Sequence, residues 1–278
     1  MSTVESFLKK MNLDNHQNGK ERAVDKKIRA RRAVRLRQIA CFFYLPYKWL
    51  VLVPLFVLAT TILSVVCVLL SILVSPRTGS KYTGPLWGRL ICYLTPVFLR
   101  VRGKENIDPD RSYVIVSNHQ SHFDIFIVYG WLGIDFKWVM KQSIRSMPGI
   151  GIACEKMEHI FIDRTNGKKA IDSINRAGSR IRNGTSVFFF PEGTRSEAGE
   201  IAPFKKGAFK LAFALNLPIL PVTINGTNRI LPKKGFSVLP GKAEMIIHPP
   251  IDTAGYKSEE MPDMIQAVRS VITAAHAP

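Results

Sequence analysis

Residues 113–128 read YVIVSNHQSHFDIFIV. Two apolar runs, 113–116 and 125–128, flank a polar turn carrying two histidines, a serine and an aspartate. The first run is short and β-branched, which predicts a strand. The second follows Ser121-x-x-Asp124, a capping box that predicts a helix start. A strand that ends in a polar turn and opens a helix is the repeating unit of an α/β domain. The same alternation recurs downstream, with strands predicted at 159–162, 187–190, 219–224 and 243–247 and helices at 84–99, 122–133, 168–182, 205–215 and 258–275. The expected fold is therefore α/β, with a parallel or mixed central sheet surrounded by helices.

The 278 residues, 46% hydrophobic, suffice for one large core with an appendage and exclude a disordered chain. With 39 Lys+Arg against 21 Asp+Glu, the net charge of +18 draws the chain to polyanions, nucleic acid or an anionic membrane surface. Residues 49–76 decide between them, because 28 consecutive positions carry no charge and about 20 apolar residues suffice to cross a bilayer. The stretch is also too long for the apolar core of a cleavable signal peptide. The expected organisation is a basic tail over 1–38, a membrane anchor over 39–76 and an α/β domain over 84–278. The tail holds eleven basic and four acidic residues, which keeps it cytoplasmic and lets it lean on anionic lipid. A straight helix over the whole uncharged stretch would measure about 42 Å, beyond a ~30 Å hydrocarbon core. It must tilt as a single span or turn back as a re-entrant pair, with the bend expected near Pro54 or Thr60-Thr61. Cys41, Cys67, Cys92 and Cys154 show no ligand spacing or pairing pattern and read as free thiols.

His119, His122 and Asp124 could be metal ligands, but no distant Cys/His cluster completes a site, and no metal is expected. Ser121 reads as a helix cap. His119 falls at the end of a strand, where α/β folds place their chemistry. Asp124, five residues on, can hold one imidazole nitrogen and leave the other to take a proton. No G-x-S-x-G element and no activated cysteine offers a nucleophile, so the hydroxyl that His119 would activate must come from a substrate. The stretch FFFPEGTRS, 188–196, repeats the strand-to-turn design and presents Glu192, Thr194 and Arg195. A guanidinium beside the backbone N–H groups of a Gly-containing turn suits a phosphate monoester. FIDR, 161–164, is a third such end, and Lys141 lies upstream of it. Gly149-x-Gly151 lacks the third glycine of a dinucleotide fingerprint.

Four blocks in this order, NHQSHFD, FIDR, FPEGTRS and LPILPVTING, together resemble the glycerolipid acyltransferases, specifically the 1-acylglycerol-3-phosphate (lysophosphatidate) acyltransferases. The resemblance covers about 84–252. It implies that His119 is the general base and Asp124 its orienting partner. It also implies that Asn118, Lys141, Arg164, Glu192, Gly193, Thr194 and Arg195 bind the substrate around its phosphate. The implied reaction moves an acyl chain from acyl-CoA or acyl carrier protein to the sn-2 hydroxyl of lysophosphatidate, with no cofactor, no metal and no nucleic acid. Glycerol-3-phosphate or another lysolipid, such as lyso-ornithine lipid, is the alternative acceptor. A basic membrane adaptor without chemistry is the reading from another class. Both donors are cytosolic, so a membrane protein with its catalytic domain on the cytoplasmic face is expected, and a re-entrant anchor with it.

Overall fold

A computed structural model describes residues 42–163, 173, 176, 178–196, 200–234 and 238–277. The chain divides into two compact units, Met1–Val51 and Leu52–Pro278. One described helix, Phe42–Leu73, is long and apolar enough to cross a membrane. The second unit begins with its main part, α1 (Val53–Leu73). It continues through α2 (Pro76–Leu94), β1 (Val97–Arg102), β2 (Val114–Ser117), α3 (Phe123–Trp131), β3 (Phe136–Lys141), α4 (Ile150–Lys156) and β4 (Ile160–Ile162). Then follow β5 (Ser186–Phe189), α5 (Gly207–Leu215), β6 (Ile219–Asn225), the single turn α6 (Thr227–Ile230), β7 (Gly241–Ile247) and α7 (Met261–Ala274).

The strands form one sheet in the order β1-β7-β6-β2-β5-β3-β4. Every neighbouring pair is parallel except β6 and β7. β2, β5 and β6 are buried along their whole length, as strands covered on both faces must be. Period-two alternation deals their side chains to two layers. Ile115, Phe188, Leu220 and Val222 meet α2 and α3, while Val114, Val116, Val187 and Phe189 meet α5 and α7. The expected α/β fold with a mixed sheet is thus present.

Two strands were not expected. β1 was read as the tail of a helix over 84–99, although its burial alternates along an edge strand. β3 begins FKW, and Lys137 lies inside the protein at 3% exposure. The helix expected over 168–182 falls largely outside the described residues, as do the basic tail and Cys41. Cys67, Cys92 and Cys154 are free and buried.

The bend of the apolar element also differs from expectation. Pro54 lies in the first turn of α1, where its missing N–H is tolerated, after a π-helical turn at Lys48–Leu52. Thr61 donates its hydroxyl to Val57 O within the continuing helix. The chain reverses instead at Val74-Ser75, where the Ser75 hydroxyl accepts from Thr78 N at 3.1 Å and Pro76 begins α2. The two helices run antiparallel. A Cβ on Gly79 would lie 2.1 Å from Ser71 Oγ, and Trp87 Nε1 donates to Thr60 Oγ1 at 2.9 Å. α2 in turn packs on α3 at backbone distance, since a Cβ on Gly88 would lie 2.4 Å from Phe126 O. α2 is therefore part of the domain core, and α1 is lashed along it.

Candidate active site

β2 delivers its last residues to the carboxyl edge shared with the parallel strands β5, β3 and β4. Asn118 fixes the height of the turn. Its Nδ2 donates to Ile224 O and its Oδ1 accepts from Ile224 N, both at 2.8 Å. Ser121 Oγ accepts from Phe123 N at 3.0 Å and donates to Leu231 O at 2.6 Å. Asp124, fully buried, turns back so that Oδ2 accepts from Gln120 N (2.8 Å), Ser121 N (3.0 Å) and His119 Nδ1 (2.8 Å). One half of the expected capping box, Asp124 back to Ser121 N, and the expected His–Asp pair share that one oxygen; the other half is not formed, because the Ser121 hydroxyl accepts from Phe123 N and the helix N-cap is His122. A carboxylate accepts only, so the proton between the pair sits on Nδ1 and Nε2 is the free lone pair. The His119 side chain is 13% exposed and its ring stacks on Phe190 at 3.9 Å between centroids and 12° between planes. Trp138 stacks behind Phe190 at 5.5 Å. The imidazole can neither tilt nor turn without breaking contacts on its face or at Nδ1.

The turn after β5 docks onto this one. Glu192, 4% exposed, accepts from His119 N at 2.8 Å through Oε1 and from Ala202 N at 3.0 Å through Oε2. Burial pushes its carboxyl above the ordinary value, with the two N–H donors pulling the other way. Ser196 returns the tie, its N and Oγ donating to His119 O at 2.8 and 3.0 Å. Gly193 adopts φ +76°, a conformation suited to glycine, and a Cβ there would lie 2.7 Å from Lys205 Nζ. Thr194 is exposed and Arg195 half-exposed. The Arg195 charge reaches the turn after β2: His122 is held below its ordinary pKa first by desolvation and then by Arg195. A base with a free lone pair, beside a guanidinium on a Gly-containing turn, is equipped to deprotonate a hydroxyl on a molecule that also carries an anion.

The family model described as Acyltransferase matches residues 98–225. The 1-acyl-sn-glycerol-3-phosphate acyltransferase BAT2, chloroplastic, of Brassica napus is 37% identical over 178 residues, 63% of this chain and 51% of that protein. The 1-acyl-sn-glycerol-3-phosphate acyltransferase of Limnanthes douglasii is 33% identical over 70% of this chain and 69% of its own length. The chain belongs to the 1-acyl-sn-glycerol-3-phosphate acyltransferase family. Its fold is also that of the crystal structure of the 1-acyl-sn-glycerophosphate (LPA) acyltransferase PlsC from Thermotoga maritima, with a TM-score of 0.71 and 27% identity over 86% of this chain and 95% of that one. The chain spans about half the length of the first plant relatives it matches.

Within this family fold the expected residues separate into two kinds. His119, Asp124, Glu192, Gly193, Thr194 and Arg195 come together. Asn118 and Glu192 hold backbone rather than facing outward, so their part is to fix the two turns. By strand register Lys141 stands level with Asn118, two strands away, roughly 10 Å at the usual spacing, and it is exposed. Arg164 lies outside the described residues. Sequence reasoning missed Phe190, Ser196 and Gln120. Phe190 had one signal, its place as the last apolar residue before the polar turn, but nothing local says that it faces an imidazole.

Proposed function

We propose that the chain transfers a fatty acyl group from acyl-CoA or acyl carrier protein to the sn-2 hydroxyl of lysophosphatidate. The observation that carries this reading is His119, with Nδ1 tied to Asp124 at 2.8 Å and Nε2 without a protein partner among the described residues, next to the Arg195 turn. Nε2 takes the hydroxyl proton as that oxygen attacks the thioester carbonyl. The C–S bond then breaks, and the departing thiolate recovers the proton from the imidazolium. A placed base of this kind supplies roughly 10²- to 10⁴-fold. The substrate phosphate would lie on Arg195 and the turn N–H groups, with Lys141 at a neighbouring strand end as a further cation; the resemblance adds Arg164 to that set.

The names of the relatives support the acceptor, and the anchor fits a lipid substrate. α1 is packed against α2 on one side and exposes Val57, Leu58, Ile62, Val65 and Leu69 on the other, each more than half exposed. A helix lashed along the domain suits an in-plane, re-entrant seat in one leaflet, with the domain and the basic tail on the cytoplasmic face and anionic lipid under them.

The test is the full chain in detergent, offered labelled acyl-CoA or acyl carrier protein and a panel of lysophosphatidate, glycerol-3-phosphate and lyso-ornithine lipid. Phosphatidate formation that disappears in His119→Ala is expected. Turnover of another acceptor alone would reassign the substrate, and wild-type turnover in His119→Ala would remove the base. Labelling of cysteines placed beyond residue 85 from outside the membrane only would overturn the re-entrant anchor.

A further inference from the structure

The family match ends at Asn225, and Asn225 is where a segment from outside the match fastens. Its Nδ2 donates to Ala275 O at 3.0 Å, and its Oδ1 accepts from Ala277 N at 3.0 Å and from His276 Nδ1 at 3.1 Å. Gln120 Nε2 stands 3.1 Å from His276 Nε2 and 3.2 Å from Nδ1; with the proton on Nδ1, Nε2 is the nitrogen that can accept from it. Gln120 immediately follows His119, and its backbone N–H is one of the three donors on Asp124 Oδ2. The latch has a firm base: α7 buries Met264, Val268 and Ile272 against the sheet, and Thr223 Oγ1 donates to Ile272 O at 3.2 Å.

We infer that His276, acting through Gln120, is a positioning residue for the His119–Asp124 pair. The inference extends the acyl-transfer reading. Gln120 is 4% exposed and its Oε1 has no partner among the described residues. His276 is therefore what fixes the amide. Remove the imidazole and both ends of a buried amide lack partners, a state costly enough to drive the side chain toward water. The Gln120 backbone N–H donates to Asp124 Oδ2, so backbone adjustment that follows the displaced side chain weakens one of the three hydrogen bonds that hold the carboxylate orienting the His119 ring. Burial holds the His276 ring below its ordinary pKa, which keeps the accepting nitrogen bare.

The experiment uses the full chain in detergent micelles, labelled with nitrogen-15 at histidine, with two readouts. The first is the proton resonance of His119 Nδ1–H, expected far downfield because the hydrogen bond to Asp124 is short. The second is turnover of lysophosphatidate with acyl-CoA. In His276→Ala the resonance should broaden or move upfield, and kcat should fall on the order of 10-fold, short of the ~10²-fold cost of a full ångström of misplacement, while KM stays. His276→Gln, whose amide can both donate and accept, should restore both. An unchanged resonance and kcat in His276→Ala would overturn the inference, as would a loss that follows melting temperature alone and is not rescued by Gln. A resonance that responds in a chain whose wild type turns over no lysolipid would leave the latch standing and sink the acyl-transfer reading.

Discussion

The two ends of the parallel strands both carry buried polar clusters, and they differ in what is left unused. At the amino ends, His159 accepts from Trp138 N at 3.2 Å through Nδ1 and meets Tyr129 Oη at 2.6 Å through Nε2. Next to it Asp135 Oδ2 accepts from Thr185 Oγ1 at 2.9 Å and faces Lys137 Nζ at 3.9 Å. Both imidazole nitrogens of His159 are occupied and the ring is sealed. At the carboxyl ends, His119 is held as firmly but at Nδ1 alone. The density of polar groups is similar, but of the two clusters only the one at the carboxyl ends leaves an imidazole nitrogen without a partner among the described residues, the feature the proposed chemistry needs.

The sharpest way to break this contrast is His119→Ala. It should lower kcat by roughly 10²- to 10⁴-fold, far more than any loss of folded fraction, as read by steady-state kinetics and calorimetry on one preparation. Arg195→Ala comes next: losing a charge-assisted hydrogen bond of about 1.5–3 kcal/mol should raise KM for lysophosphatidate about 10- to 100-fold with little change in kcat. An unchanged KM would leave the phosphate without its proposed ligand. At the opposite end, His159→Leu leaves Trp138 N and Tyr129 Oη unpaired and should lower unfolding free energy by about 1–3 kcal/mol, while the folded fraction keeps wild-type kcat/KM. The smallest effect is in pH. Burial, and then the Lys137 charge, lowers His159 from 6.5 to about 3. The unfolded chain therefore binds a proton that the folded one refuses. The His159 contribution is complete above pH 6.5 and is lost as pH falls toward 3, at about 1.4 kcal/mol per unit. Urea titrations at pH 6.5 and 5.5 should show that loss in wild type and a flatter profile in His159→Gln.

Much of the carboxyl end was legible because its information is local. Each strand-to-turn boundary is written in consecutive residues, and Asp124 lies only five residues from His119. The start of α2 was equally local, a serine cap followed by proline, but the continuous apolar composition before it drew attention to Pro54 instead. β1 and β3 were obscured by their basic residues: Arg100 and Arg102 alternate outward on an edge, and Lys137 is buried beside a carboxylate that only the fold brings near. The stack of Phe190 on His119, the grip of Glu192 on the His119 backbone and the bond from His276 to Gln120 join positions 71, 73 and 156 residues apart. No periodicity or motif spacing records such contacts.

The Glu192 grip has a temporal consequence. A growing chain completes NHQSHFD long before Glu192 is synthesised, so its histidine and aspartate exist for an interval without the brace from β5. The braced His119 turn cannot precede closure of that long-range contact, which carries a loop-entropy cost. Partly made domains would therefore lack the braced pair, and under the proposed function turnover would report that the two turns have docked.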